Sequence, residues 1–228
     1  MKLIVIVPYR DREEHLEVFV PAMHEYLKNI PHEIIVVEQS GNGLFNRGKL
    51  LNIGFDLCKD RDAYFCFHDV DLIPVDDSCD YRYPVAPTQL VGCLGPFRSH
   101  YREYCGGVML FRREDFLRLN GYGNQYCGWG CEDDDLYKRL WQCANVPLAR
   151  RNGRYRTLER AQWDASYDEI RVKRETNPHY QDNLKLLGDP GCYDVLGYSW
   201  RAEGLCNLKY EVLEIEKCCG YVKYRVRL

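Results

Sequence analysis

The sequence predicts an α/β fold: a mixed, mainly parallel central sheet covered by helices, in a single domain over residues 1–228. Three observations carry this expectation. Short unbroken apolar runs recur, at residues 3–7, 34–37 and 64–67, and each is of strand length. Stretches of helical periodicity separate them, as βαβ crossovers over a doubly covered sheet require. And 228 residues with 46% apolar content suffice for one sizeable core.

Taken in order, the run Leu3-Ile4-Val5-Ile6-Val7 closes at Pro8. A helix is expected over residues 13–29, with Leu16, Phe19, Val20, Met23 and Leu27 on one face and Pro21 kinking or dividing it. Residues 33–38 form a second strand, ended by the turn signal Ser40-Gly41-Asn42-Gly43. Residues 47–59 read as a helix turning Leu50, Leu51, Ile53, Gly54 and Leu57 inward, and residues 64–70 as the third strand. Strands at 90–94 and 108–112, a short helix at 114–119 and a loop at 121–130 follow. Residues 132–143 are expected to be helical, with Leu136, Leu140 and Trp141 buried. Over residues 152–183 periodicity is weak and polarity high, so a long mobile lid segment is expected there. Terminal strands at 210–215 and 221–226 complete the reading.

The 31 basic and 34 acidic residues nearly balance, leaving −3, and basic residues are scattered; nucleic acid is not expected as a partner. The opening apolar run is too short for a signal peptide's apolar region or a membrane span, so no membrane anchor is expected in this chain. Of the twelve cysteines, Cys66, Cys93 and Cys105 lie in or beside apolar runs, where free cysteine acts as a small hydrophobe. Cys127 and Cys131 have the spacing of a metal pair, but no matching second pair follows, so zinc is not expected. Reduced thiols in the cytoplasm are the expectation.

Chemistry concentrates where apolar runs end. Phe65-Cys66-Phe67-His68-Asp69-Val70-Asp71 delivers two carboxylates, one residue apart, to a strand end. In an extended chain residues i and i+2 share a side, so Asp69 and Asp71 would project together, His68 opposite. Such a pair suits a hard divalent ion that also holds phosphate oxygens; the alternative is an acidic strand end facing water. Gly128-Trp129-Gly130-Cys131-Glu132-Asp133-Asp134-Asp135 is the second signal. One acidic residue at a helix start caps it, and a row of four exceeds that need, so a carboxylate there could serve as general base. Arg10 and Arg12 beyond the first strand suit a diphosphate, or are surface charge. Phe45 could stack on a base, Arg47 meet a phosphate, and Gly106-Gly107 admit a sugar close to the backbone. His15, His24, His32 and His100 offer no chemistry, and His179 stays open.

The order of these pieces resembles the beta-1,4-galactosyltransferase family. The likeness runs through Ile6-Val7-Pro8-Tyr9-Arg10-x-Arg12, Phe45-Asn46-Arg47-x-Lys49-Leu50-Leu51-Asn52, Asp69-Val70-Asp71-Leu72-Ile73-Pro74 and Tyr104-x-Gly106-Gly107. It continues through the tryptophan–acidic segment to Gly204-Leu205-x-Asn207-Leu208. The resemblance implies a GT-A fold, a UDP-sugar donor and inversion at the anomeric carbon. Pro8, Tyr9, Arg10, Arg12, Phe45 and Arg47 would hold UDP, with Asp69 and Val70 near its ribose. Asp71 would bind Mn²⁺, with Mg²⁺ as the alternative. Tyr104 matches the tyrosine that crowds the donor sugar and favours galactose, and Gly107 lies beside it. Trp129 matches the mobile tryptophan over the donor, Glu132 and Asp134 the flanking carboxylates, and Asp133 the base.

The chain departs from the family in three places. Cys127 and Cys131 replace a tryptophan and a glycine, and the family disulfide falls on Tyr64 and Tyr83. The family's metal-binding histidine is missing after Gly153-Arg154-Tyr155-Arg156, where Glu159 and Arg160 stand nearest. The expectation is an inverting transferase moving galactose to a glycan or glycoconjugate hydroxyl. Alternatives are another UDP-sugar (xylose, N-acetylgalactosamine, glucose) or a non-catalytic glycan- or nucleotide-binding relative.

Overall fold

The computed structural model describes residues 1–94, 98–99, 103–142, 146–159, 167–187 and 200–228. The chain opens with β1 (Lys2–Tyr9), α1 (Glu13–Tyr26), β2 (His32–Gln39), α2 (Arg47–Asp56) and β3 (Ala63–His68). β4 (Leu72–Pro74), β5 (Thr88–Leu94), β6 (Arg98–Ser99), β7 (Val108–Phe111) and α3 (Arg113–Arg118) follow. Then come α4 (Glu132–Gln142), β8 (Ala149–Thr157), α5 (Tyr167–Thr176) and α6 (Pro178–Leu187), and the hairpin β9 (Glu211–Cys218) and β10 (Tyr221–Arg227).

All strands join one mixed sheet in the order β4-β8-β5-β7-β3-β1-β2-β10-β9, with β6 on β5. β3, β1, β2 and β10 run parallel, while β7 and β9 are antiparallel to their neighbours β3 and β10. The two faces of β1 explain its unbroken apolar run. Leu3, Val5 and Val7 enter one core cluster, beneath Leu16, Phe19, Val20 and Met23 of α1. Ile4 and Ile6 enter the other, with Leu50, Leu51, Ile53 and Phe55 of α2. A strand buried on both sides leaves no position for a polar residue. Because β1, β2 and β3 are parallel, their carboxyl ends share one edge, and the loops there bring the motif residues together.

Four expectations are corrected. Pro21 does not divide α1, which is continuous through it; residues 17 and 21 are both exposed, so the carbonyl deprived of its partner faces water. α2 ends at Asp56, short of residue 59. β3 ends at His68, so Asp69, Val70 and Asp71 form a turn rather than extended chain. Residues 152–183 are not one long loop: 152–157 belong to β8 and 167–183 to α5 and α6, and residues 160–166 lie outside the described ones. In β8 Gly153, Tyr155 and Thr157 are buried while Arg154 and Arg156 are exposed, a true period of two that the arginines hid. Trp141's side chain lies outside the described residues, whereas Leu136 and Leu140 are buried as expected.

Gly54 brings α2 down onto the sheet: a Cβ there would lie 2.3 Å from Ile6 Cγ2 and 3.1 Å from Val37 Cγ2. Gly54→Ala is expected to lower stability by about 1–3 kcal/mol in urea unfolding despite the gain in helix propensity. Gly43→Ala, where a Cβ meets nothing within 4 Å, is expected to be neutral. Equal midpoints for the two variants would refute the close approach.

Candidate active site

The site is assembled at the carboxyl ends of β1, β2 and β3. Beyond β1, Arg10 donates to Gly43 O at 2.6 Å and its guanidinium lies 5.5 Å from the centre of the Phe45 ring. Pro8 and Tyr9 belong to β1 itself, and Tyr9 Oη accepts the Arg12 N–H at 3.3 Å. At the end of β2, Gln39 shapes the loop leading to α2, donating to Leu44 O at 2.9 Å and accepting Asn46 N–H at 2.8 Å. Asn46 caps α2 by accepting Lys49 N–H at 2.9 Å.

Arg47, the first residue of α2, connects the two acidic clusters. Its Nε donates to Asp69 Oδ1 at 2.7 Å, its Nη1 lies 3.7 Å from Glu132 Oε1, and its guanidinium is 6.0 Å from the Tyr122 ring centre. Both Nη atoms are buried with no hydrogen-bond partner in the protein, donors that an anionic ligand could satisfy.

The two aspartates of the turn have different surroundings. Asp69 N–H donates to Gly107 O at 3.0 Å, and its carboxylate faces Arg47. Asp71 Oδ2 accepts from Thr157 Oγ1 at 3.3 Å, and its carbonyl accepts Leu158 N–H at 2.7 Å. Burial first, then the Asp69 charge, push the Asp71 carboxyl up to about 6. The turn, and not strand alternation, brings the pair together. His68 is fully buried: its Nδ1–H donates to Asp69 O at 2.9 Å and its Nε2 accepts from Tyr81 Oη at 2.8 Å. Burial lowers its pKa to about 4, so it is neutral and structural.

The third group surrounds Asp133. A Cβ on Gly106 would lie 2.7 Å from Asp133 Oδ2 and 2.7 Å from the Tyr104 ring; one on Gly107 would be 3.2 Å from Tyr104 Oη. Tyr104 therefore lies across both glycines beside the carboxylate. Burial, then Asp134 and Glu132, raise the Asp133 carboxyl well above the usual range, opposed by Arg47. Burial also raises Glu132, again against Arg47. Asp135 is different: fully buried, it pairs with Arg139 at 2.7 Å and is structural.

Trp129 lies between Gly128 and Gly130, with φ of 81° and 93°. Its ring is 5.6 Å from Tyr180, and Lys173 Nζ is 5.0 Å from its centre. Cys131 has φ of 75°, the left-handed conformation that glycine adopts freely, which accounts for a glycine at this position in the family pattern. Tyr64 and Tyr83, where the pattern's disulfide falls, meet edge-on with ring centres 5.4 Å apart.

Sequence reasoning missed Asn46, Thr157 and Asn183. Asn46 alone had a readable signal, a capping residue at a helix start. Arg12 pairs with Glu159 and its charge lowers the Asp71 carboxyl, while Arg160 lies outside the described residues. Among the described residues no group of three or more His, Cys, Asp or Glu converges as a metal site. A cation at Asp71 would meet oxygen donors, the carboxylate and the Thr157 hydroxyl, in a place where burial calls for positive charge. That donor set fits a hard divalent ion completed by phosphate and water oxygens.

The chain is similar to known proteins in sequence and fold. Residues 1–84 match the family described as the N-terminal region of glycosyl transferase group 7, and residues 95–161 the N-terminal domain of galactosyltransferase. Beta-1,4-galactosyltransferase 7 of Drosophila melanogaster is 34% identical over 221 residues, 95% of this chain and 65% of that protein. Beta-1,4-galactosyltransferase 1 of Mus musculus is 35% identical over 234 residues, 99% of this chain and 54% of that protein. The chain thus spans about half to two thirds of the length of these relatives. The crystal structure of the Drosophila galactosyltransferase 7 catalytic domain with xylobiose superimposes with a TM-score of 0.77 at 29% identity, covering 100% of this chain and 94% of that one. A mutant of the same enzyme, in complex with manganese, UDP-Gal and xylobiose, matches equally. Sheet, turn and acidic helix start define a GT-A-type α/β fold. The chain belongs to the beta-1,4-galactosyltransferase family.

The His68 environment yields a test. An imidazole whose pKa is about 4 when folded and 6.5 when free must gain a proton on unfolding between those values. Stability is therefore complete above pH 6.5 and falls as pH drops toward 4, by up to about 3 kcal/mol from this group. His68→Gln is expected to be less stable at neutral pH but to lose less on acidification, as urea titrations at both pH values would reveal.

Proposed function

We propose that the chain is the catalytic region of an inverting transferase that moves galactose from UDP-galactose to a hydroxyl of a carbohydrate or glycoconjugate acceptor. One observation carries the reading: Arg47 touches both Asp69 on the nucleotide side and Glu132 beside Asp133. A single guanidinium thereby registers the two halves that sugar transfer requires, one for the departing diphosphate and one for the incoming hydroxyl.

Asp133 takes the acceptor's proton as its oxygen bonds to the anomeric carbon, and the bond from that carbon to the UDP oxygen breaks on the opposite face. Glu132 and Asp134 flank it, placed to receive sugar hydroxyls. Arg47 offers the donor its Nη atoms, which lack hydrogen-bond partners in the protein, and Phe45 a ring for the base. Asp71, with Thr157, would hold a divalent ion, which we infer to be Mn²⁺. The bound ion supplies positive charge to the leaving diphosphate. With Glu159 engaged by Arg12, we infer that water completes its coordination. Trp129 and the α5–α6 helices cover the donor and exclude competing water. A cytosolic setting is our further reading, supported by the free thiols of the ten described cysteines.

A screen of UDP-sugars for Mn²⁺-dependent hydrolysis, followed by an acceptor array, tests the function; no turnover with any UDP-sugar would refute it. Asp133→Asn is expected to lower transfer by about 10²–10⁴-fold while UDP still binds. Wild-type turnover in that variant at saturating acceptor would remove Asp133 from the mechanism. Donor choice is tied to Tyr104, whose ring leaves little room for an acetamido group. Tyr104→Leu should raise the rate with UDP-N-acetylgalactosamine relative to UDP-galactose; an unchanged ratio means that the ring does not face the sugar.

A further inference from the structure

Asn46 is 3% exposed and uses every polar atom of its side chain. Its Oδ1 accepts Lys49 N–H at 2.9 Å, while its Nδ2 donates to Asn124 O at 2.7 Å and reaches Cys127 Sγ at 3.4 Å. The partners fix the amide's orientation, since Lys49 N–H can only donate and the Asn124 carbonyl only accept. One side chain thus performs two tasks of opposite chemistry. Its acceptor caps α2, which begins with Arg47, and its donors grip the loop that carries Trp129.

A parallel backbone contact strengthens the link, Gly128 N–H to Phe45 O at 2.8 Å. From the far side, Asn183 Nδ2 donates to Cys127 O at 3.0 Å and Gly130 O at 2.9 Å. The stretch on either side of Trp129 is therefore held between residues 45–46 and α6.

We propose that Asn46 is a positioning residue for sugar transfer: its amide donor fixes the Trp129 loop to Phe45 and Arg47, coupling nucleotide binding to the placement of Trp129. The proposal rests on the transferase reading above. It also explains why asparagine stands here. Serine or aspartate caps a helix as well, but neither has an N–H to offer the Asn124 carbonyl.

Asn46→Ser and Asn46→Asp therefore keep the cap and remove the grip. In both, the thermal midpoint is expected to fall by a few degrees, as the loss of one buried hydrogen bond requires, and UDP affinity by calorimetry to change less than about threefold. The fluorescence response of Trp129 to UDP (wild type minus Trp129→Phe) is expected to vanish. With UDP-galactose, kcat should fall about tenfold, the scale of one buried hydrogen bond, with little change in donor KM. Wild-type fluorescence response and kcat in both variants would overturn the proposal, as would a loss of UDP affinity in step with the thermal midpoint, which would leave Asn46 a cap alone. A wild type that responds to UDP but transfers no sugar would instead refute the transferase reading, and fluorescence would still decide the role of Asn46.

Discussion

The site depends on a largely buried guanidinium that must be paired. Arg47 is 14% exposed, lies at the positive end of α2, and can remain there only with carboxylates close by. Asp69 and Glu132 supply them from the turn after β3 and the start of α4. The dependence is mutual, because Glu132 and Asp133 are crowded carboxylates that Arg47's charge helps to keep ionised. Removing one member of such a group exposes the others to uncompensated burial, on the order of 3–5 kcal/mol. The constraint thereby fixes the distance between the two halves of the cleft.

This requirement makes the acidic start of α4 intelligible. Four consecutive carboxylates repel, yet three of them have clearly different surroundings. Glu132 faces Arg47, Asp133 sits against Gly106 and receives Asp134 N–H at 3.0 Å, and Asp135 is neutralised by Arg139. The helix dipole adds a smaller favourable contribution to all of them. Asp133 combines a strongly raised carboxyl with a position beside the glycine pair, and this is the ground on which the general-base role is proposed for it.

Much of this was legible in the sequence where local pattern and burial coincide. β1 and β2 read correctly because both faces of their central residues 3–7 and 34–37 are covered and these are all apolar; α2 read correctly up to its last turn. Residues 152–183 did not, because β8 presents Arg154 and Arg156 outward, and its alternation is masked by glycine and threonine on the inner face. The motif residues of the site were legible as chemistry, but their geometry was not. Asp69 and Asp71 converge through a turn, which alternation could not predict, and Thr157 meets Asp71 only because β4 and β8 pair antiparallel, Leu72 opposite Thr157. Contacts between residues 86 positions apart leave no trace in local spacing.

The same reasoning bears on the absent family histidine. Glu159 N–H is anchored by Thr157 Oγ1 at 3.1 Å, and that hydroxyl also contacts Asp71. Glu159 is thereby fixed in the neighbourhood of the Asp71 carboxylate, with its charge balanced by Arg12. Arg12 in turn lowers the raised carboxyl of Asp71, so the guanidinium already offsets part of the charge that a cation would neutralise. A hard ion gains little from imidazole and much from oxygen. If an ion binds as proposed, a site built from Asp71, Thr157, phosphate oxygens and water, with Arg12 nearby, would meet the same electrostatic demand as a site with histidine and would hold its ion less tightly. On the proposed reading, the missing histidine would weaken ion binding while Arg12 still offsets part of the Asp71 charge.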